Sequence, residues 1–176
     1  RVALSGVKFF YSVTCKRPWN IFAMLKLQNV QTLPEVITIE QVHRIIDTAT
    51  TLRMKTYFWT VYSLGLRLNE GLHLEVGDID APRGMVHVHR GKGAKDRYLP
   101  LPTCTLHILR LYWSTHRHPR LLFPADGRNH ALRKGVVSQA TTPMSETAVQ
   151  DAIVLITDKL NFGKKVSTHT LRHSYA

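Results

Sequence analysis

Between residues 74 and 101 the spacing of apolar side chains changes from a period near 3.6 to alternation, and after Cys104 it changes back. "LEVGDID", "GMVHVHR" and "DRYLPL" read as three short strands, joined by turns at "APRG" and "GKGA". Val86 and Val88 are expected to face one way and His87 and His89 the other, which makes a small antiparallel sheet with one wet side. Everything outside that interval has helical spacing or turn chemistry. The expected fold class is therefore mainly α with a small three-stranded antiparallel sheet.

The helical segments carry their own boundary signals. Residues 1 to about 17 read as a helix stopped by Pro18, and residues 26 to 34 have no period and read as a linker. In "TIEQVHRIIDTA", Thr38 is the expected N-cap with Gln41 as its capping-box partner, and Val42, Ile45, Ile46 and Ala49 form the apolar stripe. "LRMKTYFWTVYSLG" is apolar nearly all round, as a core helix should be, and ends on Gly65. A short helix, "RLNEGLHLE", follows at once. After the strands, helices are expected at 104–116 and in "SETAVQDAIVLITDKL", with Ala148, Ala152, Ile153, Ile156 and Leu160 on the latter's stripe. A last one is capped by Ser167 and carries "HTLRHSYA". "HRHPRLLFPADGRNHALRKG" reads as a basic loop.

Charge narrows the partners. The chain has 24 Lys and Arg against 12 Asp and Glu, a net charge of +12, with ten histidines besides. Such a surplus suits a polyanion, because each neutralised phosphate releases condensed counterions. Two widely separated cysteines, Cys15 and Cys104, argue against a disulfide scaffold and fit a reducing, cytoplasmic compartment. The apolar runs fall short of the roughly 18 residues that span a bilayer, so no membrane partner is expected. The first residues have neither an initiator Met nor a signal-peptide layout, and both ends read as cut.

Several places concentrate chemistry. Arg67 follows the helix-ending Gly65 and Leu66, at a helix start where a cation gains nothing from the macrodipole. Glu70, three residues on, shares its face and can buttress the guanidinium. Lys92 lies between two glycines at a hairpin tip, where close approach to a ligand is open, and Lys95 and Arg97 follow. Taken alone, such a basic hairpin is usually a solvated, guarded edge. His169 and Arg172 are three apart on the last helix and share one face near its free backbone N–H groups, a natural seat for phosphate. His169 and His173 could instead pair on zinc. No HExxH and no third ligand at suitable spacing accompany them, and the basic surroundings repel a cation, so no metal is expected. "HVH" and "HRH" read likewise as surface or DNA-facing histidines. Lys164 and Lys165, in the basic loop "NFGKKVS", are candidate nucleic-acid contacts.

On these residues the chain resembles the tyrosine recombinases of the phage-integrase family. "GLRLNEGLHLEVGDID" resembles the family's first arginine box, "GKGAKDRYLPLP" its lysine hairpin, and "HTLRHSYA" its second box, with H-x-x-R. The three stand in the family's order over residues 33 to 176. The resemblance implies a recombinase catalytic domain over residues 31–176, incomplete at its C-terminus. Residues 1–30 would be the end of an N-terminal core-binding domain and the start of its linker.

The resemblance further implies site-specific cleavage and rejoining of double-stranded DNA through a 3′-phosphotyrosyl intermediate, without metal, ATP or other cofactor. Arg67 and Arg172 would clamp the scissile phosphate, Lys92 would be the general acid, His169 would assist proton transfer, and Glu70 would support Arg67. Lys95, Arg97, Lys164 and Lys165 would contact DNA. The family's nucleophilic tyrosine follows the second box, and Tyr175 matches a packing aromatic within that box. The nucleophile is thus expected to be absent from these 176 residues, leaving them unable to cleave DNA unaided. The resemblance also implies self-association on DNA, from dimer to tetrameric synapse, with the fragment itself monomeric. A non-catalytic, sequence-specific DNA-binding protein derived from an integrase fits the charge and the absent tyrosine as well. An RNA-binding role lacks an aromatic platform motif.

Overall fold

The computed structural model describes residues 2–17, 36–89, 96–126 and 137–175. The chain divides into two compact units, Arg1–Leu33 and Pro34–Ala176. In the first, α1 (Val2–Phe9) runs into a π-helical turn, Phe10–Thr14, in which the Cys15 N–H reaches back five residues to the Phe10 carbonyl. The continuous helix expected to residue 17 thus loosens after Phe9. The expected linker at 26–34 lies outside the described residues, as do Lys92 and Lys95.

The second unit opens with α2 (Ile39–Thr48), whose cap is the one its sequence specifies. Thr38 Oγ1 accepts from the Gln41 N–H at 3.3 Å, and Gln41 Oε1 accepts from the Thr38 N–H at 3.1 Å. Val42, Ile45 and Ile46 are buried. Next comes α3 (Leu52–Leu64), capped by Thr51 and buried on most of its circumference, including Tyr57, Phe58 and Val61 at zero exposure. Two of the polar residues on α3 have hydrogen-bond partners. The Thr60 hydroxyl donates to the Thr56 carbonyl, and Ser63 Oγ accepts from Thr105 on a neighbouring helix. Gly65 ends α3 at φ +58°, the left-handed conformation that favours glycine at this position.

Helix α4 (Leu68–Leu72) follows within three residues and is pinned to α3 by the Tyr57 hydroxyl, which donates to the Leu68 carbonyl at 2.8 Å. A 3-10 turn, Val76–Asp78, leads into the sheet of β1 (Ile79–Asp80), β2 (Met85–Val88) and β3 (Arg97–Pro100), antiparallel in the order β1-β2-β3. The register sets Ile79 opposite Val86, Val86 opposite Leu99, His87 opposite Tyr98, and Val88 opposite Arg97. Val86 and Val88 are buried while His87 and His89 lie on the other face, as the alternation requires. The first strand is shorter than the expected 74–80. Asp78 Oδ2 accepts from the Glu75 N–H at 2.8 Å and curls residues 75–78 into a turn, leaving two residues to pair.

Helix α5 (Thr103–His116) packs across α3, where Thr105 Oγ1 donates to Ser63 and accepts from the Trp59 indole. The end of α5 and the residues after it correct the reading of "HRH". His116 and His118 are buried rather than facing solvent or DNA. His118 Nδ1 accepts from the N–H groups of Arg120 and Leu121, and its Nε2 donates to the Ala140 carbonyl. One imidazole thus folds the corner that sends Leu121, Leu122 and Phe123 into the core. Helix α6 (Glu146–Lys159), capped by Ser145, buries Val149, Ile153 and Ile156. The last, α7 (Thr168–His173), is capped by Ser167 and packs on α3 through the fully buried Leu171. Just beyond it, Ser174 Oγ accepts from the Ile37 N–H at 3.0 Å and donates to the Thr170 carbonyl.

Candidate nucleic-acid interface

Glu70 organises the site. It lies in the first turn of α4, and its side chain is only 6% exposed. Its Oε2 accepts from the Arg67 N–H at 2.9 Å, closing the start of α4, while its Oε1 accepts from Arg67 Nη1 at 2.6 Å. The pairing at i+3 is the one expected from the spacing.

The same carboxylate takes a second arginine. From β3, Arg97 donates through both terminal nitrogens, Nη1 to Oε1 at 3.0 Å and Nη2 to Oε2 at 2.7 Å, a two-pronged pairing. Arg172, from α7, brings Nη1 to 3.6 Å from Glu70 Oε2. That nitrogen is buried and has no hydrogen-bond partner among the described residues. Three guanidinium groups from three separate elements therefore converge on one carboxylate, an excess of two positive charges.

The electrostatics follow from this crowding. Burial pushes the Glu70 carboxyl up, but the hydrogen bonds from Arg97 and from the Arg67 N–H and guanidinium overcome it and hold the group at about 2. Arg97 is raised by its bond to Glu70. Arg172 moves the other way, lowered by burial and then by the charge of Arg67, with Glu70 opposing. Its positive charge is held against an unfavourable environment, which an incoming anion relieves.

A cleft of about 550 Å³ opens beside Arg67. Its lining includes Asn69, Glu146 and Gln150 from the flanking helices, Lys165 from the segment leading into α7, and His169 from α7 itself. His169 is exposed. Arg67, Lys165 and His169 thus share one concavity, while Arg67, Glu70, Arg97 and Arg172 share one ion-pair network. Lys164 does not join them, because its Nζ donates to the Val36 carbonyl at 3.0 Å.

Two groups of these residues have partners within the chain. Arg97, expected as a nucleic-acid contact, is committed to Glu70. Nothing local announces this, since the partners are 27 residues apart and meet only through the β2–β3 register. The half-buried His87 and the exposed His89, read as surface histidines, are engaged with carboxylates. His89 Nε2 lies 2.7 Å from Asp78 Oδ1, and Asp96 Oδ2 lies within 3.5 Å of both rings.

The tyrosines of the second unit are buried or in contact with other rings. Tyr57 and Tyr112 are buried, and burial pushes both hydroxyls upward. Tyr98 stacks on His87, and Tyr175 packs edge-on against Tyr62 beside Gly65.

A sequence profile described as the phage integrase family matches residues 35–176. Two Sinorhizobium fredii proteins with integrase/recombinase names, y4qK and y4eF, are each 34% identical over 99% of this chain, which spans 53% and 65% of their lengths. Tyrosine recombinase XerD of Staphylococcus aureus is 30% identical over 82% of the chain and 48% of its own length. Among solved structures, XerA recombinase superposes with a TM-score of 0.64 at 21% identity, over 98% of this chain and 58% of its own. A lambda integrase dimer bound to a COC′ core site superposes with a TM-score of 0.72 at 13% identity, over 98% and 62%. These two likenesses establish a shared fold of helices around a small antiparallel sheet.

Proposed function

The chain belongs to the phage integrase family, and on that premise we propose that it supplies the phosphate-gripping half of a site-specific recombinase acting on double-stranded DNA. The observation that carries the proposal is the convergence of Arg67, Arg97 and Arg172 on the single carboxylate of Glu70. A pure ion-pair brace needs no surplus, whereas a group that must stabilise a doubly charged phosphorane-like transition state needs fixed excess cations. Guanidinium forks suit the non-bridging oxygens better than ammonium groups.

In this reading Arg67 and Arg172 bind the non-bridging oxygens of the scissile phosphate. Arg97 and Glu70 act behind them as positioning residues that fix the Arg67 guanidinium. His169, exposed on the cleft that Arg67 lines, assists proton transfer at the phosphate. Lys92, assigned from its sequence motif alone, is the general acid on the departing 5′ oxygen. Lys165 and the overall +12 charge favour a nucleic-acid backbone. The strand is broken by tyrosine attack to give a 3′-phosphotyrosyl link, and rejoining reverses the step on a new 5′ hydroxyl.

Tyr57 and Tyr112 are buried, and Tyr175 packs against Tyr62. Because the family's nucleophile follows the second box, the attacking tyrosine is assigned to a residue outside these 176. Residues 1–30 are assigned to the end of a separate DNA-clamping domain and the start of its linker. The longer protein pairs on DNA, as the lambda integrase dimer and tetramer on DNA do.

The test is covalent capture on a nicked suicide DNA substrate by the longer protein that contains this chain. A DNA-linked species that Arg172→Ala abolishes supports the proposal. Tight, salt-sensitive binding with no covalent product from any version sinks it in favour of a DNA-binding regulator.

A further inference from the structure

The wet face of the sheet carries a second cluster of chemistry that the arginine site does not use. Asp78, at the end of the 3-10 turn, and His87 and His89, on and just after β2, place one ligand atom each within 4.8 Å of one another. Asp96, immediately before β3, brings Oδ2 to 3.4 Å from His87 Nε2 and 3.5 Å from His89 Nδ1. We propose that His87, His89 and Asp96, with Asp78 holding the second nitrogen of His89, form a binding site for a zinc-class divalent metal ion.

The donor set is imidazole and carboxylate with no thiolate, which suits zinc and its neighbours and disfavours cuprous ion. Spacing supports it. Ligand atoms at the corners of a tetrahedron around an ion, each about 2.0–2.2 Å away, sit roughly 3.4 Å apart. The contacts of Asp96 Oδ2 with His87 Nε2 and His89 Nδ1 have that length, while the other nitrogen of His89, Nε2, is bonded to Asp78 Oδ1 at 2.7 Å, the outer contact that orients a ligand ring. Asp78 is buried, and it is held by its Oδ2, which accepts from the Glu75 N–H. Its Oδ1 is the oxygen directed at His89.

Charge favours a cation here as it does not at His169 and His173. Two carboxylates face two imidazoles, a local negative charge on an otherwise strongly basic chain. Alternation in "HVH" places both rings on one face, and the β2–β3 register and the 75–78 turn bring in the carboxylates from 9 residues before and 9 residues after His87. The bound ion would join the turn before β1, strand β2 and the start of β3. A pocket of about 230 Å³ that Asp78 and His89 help to line also reaches Glu70, so the ion would sit beside the base of the arginine network.

The test uses the chelator-stripped 176-residue chain and Zn²⁺ alone, titrated against a chromogenic chelator and followed in parallel by thermal melting. One Zn²⁺ per chain at micromolar or tighter affinity is expected, with a rise in Tm that grows with free metal. The His87→Ala/His89→Ala pair should bind at least tenfold more weakly and lose the Tm rise. His169→Ala/His173→Ala should keep both. Asp96→Asn, at an exposed position, provides the same comparison if the double variant does not fold, and should weaken binding. Absence of micromolar binding by the unsubstituted chain overturns the site. So does equal affinity in the His87/His89 or Asp96 variants, or loss in the His169/His173 variant alone.

Discussion

The Glu70 carboxylate holds the Arg97 guanidinium through two parallel hydrogen bonds, 3.0 and 2.7 Å, while the same two oxygens also take the backbone and side chain of Arg67. Removing the carboxylate leaves three guanidinium groups facing one another at a half-buried site. Glu70→Ala should destabilise the second unit by about 3–5 kcal/mol, the range for a broken buried pair. Arg97→Lys, which keeps the charge but loses the fork, should cost about 1–2 kcal/mol. Urea unfolding of each variant checks this, and a Glu70→Ala chain as stable as the parent would rule out the hub.

Acid should act on stability in two stages. Burial, and then the neighbouring His118, push His116 down to about 4, from an ordinary value near 6.5. Below pH 6.5 the unfolded chain takes up a proton that the folded chain refuses, so stability falls with pH between about 6.5 and 4, by up to about 1.4 kcal/mol per unit. Glu70 adds a later stage. It is held at about 2 against an ordinary 4.5, so its contribution is intact above pH 4.5 and drains away toward pH 2. Denaturant midpoints measured from pH 7.5 to 3 should show both. His116→Gln should flatten the upper stage and leave the lower one, and an unchanged upper slope would refute the assignment.

Tyr175 and Gly65 make a linked pair of predictions. A Cβ on Gly65 would lie 3.3 Å from Tyr175 Cδ1 and would sit at φ +58°. Gly65→Ala should therefore cost about 1–2 kcal/mol, from the left-handed backbone and the crowded ring together. Tyr175→Phe keeps the ring and should leave stability within about 0.5 kcal/mol. In the longer protein it should leave covalent capture of DNA unchanged. Loss of capture in Tyr175→Phe would make Tyr175 the nucleophile.

Leu171 tests whether the last helix is docked by packing. It is fully buried between residues placed for chemistry, His169 and Arg172. Leu171→Ala should cost about 2–5 kcal/mol by cavity formation. Binding of inorganic phosphate, followed by chemical-shift perturbation, should weaken in the same variant, since Arg172 rides on that helix. Unchanged phosphate binding alongside lost stability would separate the clamp from α7.

How far the sequence specifies the fold depends on the reach of each interaction. The Thr38–Gln41 box, the Gly65 stop, the Val86 and Val88 alternation and the Arg67–Glu70 pairing are local, spanning at most four residues, and each is readable from spacing. The β1 shortfall is local too, but it turns on one side-chain bond from Asp78, which competes with strand pairing and wins. Arg97 on Glu70, the buried His116 and His118, and Asp78 with His89 depend on which segments the register brings together. A basic or histidine-rich stretch has the same composition in solvent as in a core corner. Only the accepted N–H groups of Arg120 and Leu121 distinguish His118 as structural.

The single bond from the Ile37 N–H to Ser174 Oγ joins positions 137 residues apart, and it gives the site a history as well as a shape. A chain made from its N-terminus releases Arg67 and Glu70 about a hundred residues before Arg172. At 5–20 residues per second that is an interval of roughly 5–20 s. Through that interval Glu70 can bind Arg67 and then Arg97, neutralising a good part of their charge. The surplus that grips phosphate exists only once α7 has been made and has closed back on the start of the unit. A nascent chain therefore carries its clamp unassembled until α7 has emerged and docked, and gains its full hold on a polyanion only then.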